Sequence, residues 1–316
     1  METNHYQIFF RIFFVLVPLL FAPLAIGVIN KTKAFFAGRK GVRVLQLYYD
    51  IFKLLKKEHV YSESSNFILR MAPLTSLALT VIAMFFLPLG AYSSPFAFAG
   101  DIVLFFYLLA TARFLTVLAA LETASSFEGM GASREMQFSA LAEGTLFTIL
   151  TFLVLRSMNF DLSSILLKNG LELNPAAAGA APLFLAGIAF FILLLCENCR
   201  VPFDDPETHL ELTMIHEAMV LDYGGPDLAV IFYGAALKFW LFATFFTALF
   251  MPVEFVGTLT GICFMFAGVF VTAVITGIVE SCMARSRFLK LPQLLTGSAV
   301  LAVVAILLQI FFGGGQ

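Results

Sequence analysis

The chain is predicted to be an all-α polytopic membrane protein of about eight transmembrane helices, with a cytoplasmic amphipathic helix and a helical acidic loop. Three observations predict this class. Hydrophobic residues fill 60% of the 316 positions and only 13% are charged, where a soluble domain carries roughly 25% charge. Mean hydropathy is +0.93. The apolar residues form helix-length blocks, not the short alternating segments of a β-barrel.

The blocks run over 8–29, 67–89, 100–121, 138–158, 180–196, 228–250, 255–280 and 292–312. Most lie near the ~20 residues a bilayer core requires. The fifth is short and follows an Ala/Pro-rich stretch at 174–182. A tight turn at Met251, Pro252, Val253 and Glu254 separates the sixth and seventh. The whole of 1–316 is expected to be one membrane domain. The first block lacks a preceding basic segment and a following small-residue cleavage site, so no cleavable signal is expected. Internal sequence repeats are not evident, which counts against a free-standing inverted-repeat transporter.

Orientation follows from Lys and Arg placement. Lys31, Lys33, Arg39, Lys40, Arg43, Lys53, Lys56 and Lys57 follow the first block, and Arg285, Arg287 and Lys290 follow the seventh. The basic loop 30–66 and the acidic loop 197–227 are therefore expected on the cytoplasmic side of the cell (inner) membrane, with both termini outside. Within the basic loop, Arg43, Gln46, Asp50, Lys53 and Lys57 recur every three or four positions, with Leu45, Tyr48, Tyr49, Phe52 and Leu55 opposite. That pattern predicts an amphipathic interfacial helix over 41–57, serving either as a lipid anchor or as a platform for a peripheral subunit or amphiphilic substrate.

The acidic loop is the most informative stretch. Between Cys196 and Asp227, eight carboxylates (Glu197, Asp204, Asp205, Glu207, Glu211, Glu217, Asp222 and Asp227) face one basic residue, Arg200. Asp205 suits an N-cap and Pro206 a first helical position, so a helix is predicted from there to about Asp222, stopped by Gly224, Gly225 and Pro226. Leu210, Met214, Ala218 and Leu221 would form its apolar stripe.

Charges inside the spans are costly unless neutralised or partnered. Glu143 in the fourth span is read as a proton-relay candidate, with Arg113 and Lys238 as the cations either of which could partner it. Glu197 and Glu280 end the fifth and seventh spans and could extend a lateral chain of carboxylates. Each of the two could equally mark a helix end. Cys196 and Cys199 form a single CxxC, weak evidence for a cluster or zinc site, and read as small apolar filler. His209 and His216 lie seven apart and are read as proton-responsive members of a polar surface before a zinc pair. A complete catalytic constellation is not visible, and neither is a nucleic-acid module.

Glu197, then Arg200-Val201-Pro202-Phe203-Asp204, then Pro206-Glu207, together with eight spans and a basic amphipathic loop after the first, resemble the NuoH-type subunit of respiratory complex I. Arg134 followed by Glu143 also looks like that family. The resemblance spans nearly the whole chain. It departs from the quinone-reducing branch where Asp205 and His209 replace Leu and Glu. The continuation HLELTMIHEAMVLDYGGPDLA looks like the membrane-bound nickel–iron hydrogenase branch, whose members include the membrane subunits of formate hydrogenlyase and hydrogenase-4.

The resemblance implies a subunit that is not catalytic alone. It would dock a peripheral redox arm and link electron transfer to proton or ion translocation by antiporter-like subunits. Implied partners are the hydrogenase large and small subunits, a ferredoxin-like iron–sulfur subunit, antiporter-like membrane subunits and lipid, but not nucleic acid. No cofactor is implied in this chain, the Ni–Fe centre and iron–sulfur clusters belonging to partner subunits. Glu143, Glu197, Asp204, Asp205, Glu207, Glu211, His209, His216, Glu217, Arg134, Arg113, Lys238 and Glu280 are the relay or coupling candidates. Arg200, Arg43, Lys53 and Lys57 are the arm-docking candidates. The alternative is a quinone-site subunit of a complex I-like NADH–quinone oxidoreductase.

Overall fold

The computed structural model describes residues 2–61, 66–88, 93–168, 180–204, 214–252, 259–283 and 290–313, with side chains from Val15 onward. Among them run eleven helices: α1 (Glu2–Phe36), α2 (Gln46–Leu55), α3 (Phe67–Met84), α4 (Asp101–Glu122), α5 (Ser126–Ser157), α6 (Leu162–Lys168), α7 (Ala180–Glu197), α8 (His216–Met219), α9 (Gly225–Leu249), α10 (Leu259–Cys282) and α11 (Leu291–Gly313). Eight of them (α1, α3, α4, α5, α7, α9, α10 and α11) are long and apolar enough to cross a bilayer.

α9 is the hub. Its span is 61% buried within the chain alone, more than any other. It packs against α1, α2, α3, α7 and α10, while α11 closes the far side against α5 and α7. Aromatic rings fill the centre, with Phe190 stacked on Phe245 at 4.6 Å and Trp240 edge-on to Phe270 at 5.8 Å. In lipid, helix association gains little from hydrophobicity and depends on close packing. Gly268 shows the principle: a Cβ there would collide with Thr247 on α9.

Side-chain contacts gather one set of helix ends on a single face. Lys33 at the end of α1 meets Glu280 at the end of α10, 3.2 Å away. Glu122 at the end of α4 accepts the Leu69 backbone N–H at the start of α3. Asp227 in the first turn of α9 accepts from the Tyr61 hydroxyl at 2.7 Å and meets His59 at 3.0 Å. Burial, followed by the Asp227 hydrogen bond, pushes the Tyr61 phenol up to about 12. The described parts of the basic and acidic loops thus share one face, the arrangement expected of eight spans.

Several local expectations need correction. α1 continues to Phe36, so Lys31 and Lys33 lie on its last turns, not in a loop. The interfacial helix is shorter than predicted, ten residues from Gln46 to Leu55. Its Tyr49, Phe52 and Leu55 are exposed, while Leu47 packs on the core and the Tyr48 hydroxyl donates to the Leu20 carbonyl. α5 begins at Ser126, twelve residues before the predicted fourth span, because SFEGMGASREMQ is helical without being apolar. In the acidic loop, Asp205, Glu207, His209, Leu210 and Glu211 lie outside the described residues. The predicted single helix to Asp222 is not found in the described part: Met214 and Ile215 are non-helical, and only His216–Met219 forms a turn of helix. Leu221, expected on the apolar stripe, is exposed. Pro226 starts α9 instead of stopping its predecessor, occupying the N-terminal position where a missing N–H costs nothing.

Candidate functional site: a buried ion cluster beside a cavity

Four helices bring five charged side chains together. Arg113 projects from α4, Glu135 and Glu143 from α5, Glu197 from the end of α7, and Lys238 from α9. Arg113 donates to Glu197 at 2.5 Å and to Glu143 at 3.3 Å, and its Nε lies 4.0 Å from Glu135. Lys238 reaches the Glu197 carboxylate at 3.1 Å and donates to the Glu197 backbone carbonyl at 2.6 Å. Both cations named as candidate partners of Glu143 are here, but only Arg113 touches it. Glu197 is the anchor, held by both.

The three carboxylates are not held alike. Glu197 and Arg113 are each 10% exposed, whereas the Glu143 side chain is 47% exposed on the open flank of α5. Glu135 is 12% exposed, with Arg113 and the Cys199 thiol each 4.0 Å away. Three carboxylates thus stand against two cations.

Beside the cluster lies a cavity of about 110 Å³, lined in part by Arg113, Glu135, Glu197, Lys238, His216 and Thr80. Such a space, with polar groups on several sides, is large enough for ordered water. His216 stands at its loop side. Burial, reinforced by Lys238 and Arg200, pushes its imidazole down to about 4, so it is neutral near pH 7. Burial also pushes the Cys199 thiol up, which keeps it protonated. Among the described residues no three His, Cys, Asp or Glu side chains converge as metal ligands.

The acidic loop returns to this cavity by explicit polar ties. Asp204, 3% exposed, accepts the backbone N–H groups of Ile215 at 3.2 Å and His216 at 3.0 Å. Arg134 donates to the Met214 carbonyl at 3.1 Å, and Glu128 accepts the Asp222 N–H at 3.0 Å. Gly131 on α5 admits α8, since a Cβ would press on the Ile215 carbonyl at 2.9 Å. The early start of α5 is what supplies this wall.

Other candidates fall elsewhere. Glu280, wholly enclosed, pairs with Lys33 at 3.2 Å and Arg200 at 3.6 Å, a second ion group apart from the Arg113 cluster. Arg200 therefore points inward, its guanidinium also lying 5.9 Å from the Phe239 ring centre. Arg43, Lys53 and Lys57 are exposed on the basic loop, and Glu217 is partly exposed on α8. Glu135 escaped the sequence reading because it precedes the predicted span. The signal available was its 135/139/143 spacing, which puts it on the helix stripe of Glu143.

Comparison with known proteins agrees with this architecture. Residues 9–312 match the NADH dehydrogenase family. The chain is 32% identical to hydrogenase-4 component C of Escherichia coli (strain K12), over 90% of both chains. It is 29% identical to formate hydrogenlyase subunit 4 of the same organism, over 92% of this chain and 96% of that one. An NADH-ubiquinone oxidoreductase chain of Triticum aestivum is 27% identical over 73% of both chains. Among solved structures, a membrane-bound sulfane sulfur reductase, an archaeal respiratory membrane complex, superposes with a TM-score of 0.81 at 19% identity, covering 95% and 98% of the two chains. The chain is a NuoH-like membrane subunit of the NADH dehydrogenase family.

Proposed function

We propose that this chain is the docking and coupling subunit of a membrane-bound nickel–iron hydrogenase complex of the formate hydrogenlyase or hydrogenase-4 kind. Its loop face receives the peripheral redox arm, and the Arg113 cluster passes the resulting charge change to antiporter-like neighbours. The carrying observation is that the acidic loop is wired by Asp204 and Arg134 to a cavity walled by the Arg113–Glu197–Lys238 ion group. Identity of 32% to hydrogenase-4 component C, against 27% to the NADH-ubiquinone oxidoreductase chain, supports the hydrogenase branch over the quinone-reducing one.

In this reading, electron transfer in the arm shifts the 204–217 segment or its charge. The unequal grip on the carboxylates then decides where a proton moves. Glu197 stays ionised between two cations, while Glu135 and Glu143, with one loose cation contact each, carry the proton toward the open flank of α5. Coulomb coupling of a few kcal/mol at effective dielectric ~20 is sufficient to bias such a step. The basic face would be cytoplasmic. The Ni–Fe centre and iron–sulfur clusters would reside in partner subunits.

The test is a mild-detergent pull-down on this chain, with metal analysis and hydrogen evolution from reduced viologen. Nickel, iron and hydrogen are expected together. An intact complex with iron, without nickel and with quinone-dependent activity would return the chain to the quinone-reducing branch.

A further inference from the structure

We propose that an anionic phospholipid binds in the groove between the C-terminal end of α1, the loop that follows it and α10. Local backbone chemistry builds one wall. The Gly38 N–H bonds to Phe35 O at 3.1 Å and the Arg39 N–H to Ala34 O at 2.8 Å, with Gly38 at φ +67°. This is the paired bonding that ends a helix on a left-handed residue and reverses the chain. Gly41, at φ +62°, then lies so close to Ala34 that no side chain fits between them, and Lys31 ties the loop down by donating to the Lys40 carbonyl at 2.8 Å.

The result is an open groove of about 800 Å³ whose lip carries Lys31, Arg39, Lys40 and Arg43 and whose floor is Val274 and Ile278 of α10. The floor continues as an exposed apolar stripe, with Val271, Val274 and Ile275 55%, 37% and 37% exposed. That spacing runs down one side of a membrane-spanning helix. Phe35, 78% exposed, flanks the lip. Among the described residues no carboxylate pairs with Arg39, Lys40 or Arg43, and the nearby Glu280 is fully enclosed with Lys33 and Arg200. A cationic lip above an apolar stripe matches a phosphodiester headgroup with its acyl chains below. An acidic peptide would satisfy the lip and leave the stripe uncovered.

The experiment uses the full chain in neutral detergent, with native mass spectrometry of retained lipid. Phosphatidylglycerol is compared with phosphatidylcholine, and glycerol 1-phosphate serves as the soluble headgroup competitor. Each cation near a headgroup contributes roughly fivefold, so Arg39→Gln/Lys40→Gln/Arg43→Gln should weaken phosphatidylglycerol retention about a hundredfold. Lys53→Gln/Lys56→Gln/Lys57→Gln, an equal charge change on the same face, should leave it within about fivefold. Equal losses in both triple variants overturn the proposal. Equal retention of the two lipids by the unsubstituted chain does so too, as does displacement by glycerol 1-phosphate at lipid-like concentration. These last two readouts need no variant and decide the matter if the triple substitution impairs folding.

Discussion

Replacing Arg113 with methionine removes the cation on which the cluster converges. At an effective dielectric of ~20, unit charges at the 3.3 Å of the Glu143 contact interact by about 5 kcal/mol, and the 2.5 Å Glu197 contact is stronger still. Desolvation offsets most of this, so the useful figure is the cost of stranding a buried partner, about 3–5 kcal/mol. That cost falls first on Glu135, since Glu197 keeps Lys238 at 3.1 Å. The Glu143 pair, with 47% of the carboxylate side chain exposed, contributes below ~1 kcal/mol after solvent screening. The single tryptophan, Trp240, is buried on α9 against Phe266 and Phe270 of α10, so its fluorescence reports unfolding of the helix that carries Lys238. Arg113→Met should destabilise the chain in detergent by about 3–5 kcal/mol. The double variant Arg113→Met/Glu197→Gln should lose less than the sum of its singles, by at least ~1 kcal/mol, because each single already breaks the Arg113–Glu197 contact. Arg113→Lys should fall between, retaining the charge but losing the fork that reaches two carboxylates. Additivity of the two single losses within ~0.5 kcal/mol would refute the claim that this pair holds the site.

Three further outcomes are expected. His216, held down to about 4 against an ordinary 6.5, binds its proton later in the folded than in the unfolded chain. Its contribution is fully present above about pH 6.5 and declines toward pH 4, by at most ~2 kcal/mol at pH 5, so wild-type Tm should drop more between pH 7 and 5 than that of His216→Gln. Equal drops would remove His216 from the account. Asp204→Ala strands the N–H groups of Ile215 and His216 and should cost about 2 kcal/mol locally, read as faster hydrogen exchange at those two amides with α9 amides unchanged. Gly27→Leu should push the 37–44 loop off α1, because even a Cβ at Gly27 overlaps the Val44 carbonyl. Faster cleavage by trypsin at Arg39, Lys40 or Arg43 would show it.

What was legible in the sequence follows from the physics of each feature. The eight spans were legible because a bilayer demands ~20 apolar residues whatever the tertiary structure. The start of α5 was not, because its first three turns are polar and gain their stability from α8 and the acidic loop, not from lipid. Gly224-Gly225-Pro226 was misread because the same residues can end one helix or begin another, and only the packing of Gly225 on the Glu58 carbonyl decides. Arg113, Glu143, Glu197 and Lys238 were each visible as anomalous charges. Their pairing was not, since Arg113 and Glu197 lie 84 residues apart in the chain. Arg200 reads as a surface cation in sequence, yet it is turned inward by Glu280, itself a residue with no local signal of its partner.

The most direct test of the coupling account is proton translocation by the assembled complex in proteoliposomes when Glu143 is replaced by Gln. Glu143 is the half-exposed carboxylate at the open end of the cluster, and glutamine preserves its shape while abolishing proton exchange. The account predicts hydrogen evolution from reduced viologen within about twofold of the unsubstituted complex, with the proton gradient reduced at least tenfold, a change of about 1.4 kcal/mol or more in the coupled step. An undiminished gradient in the Glu143→Gln complex would contradict it.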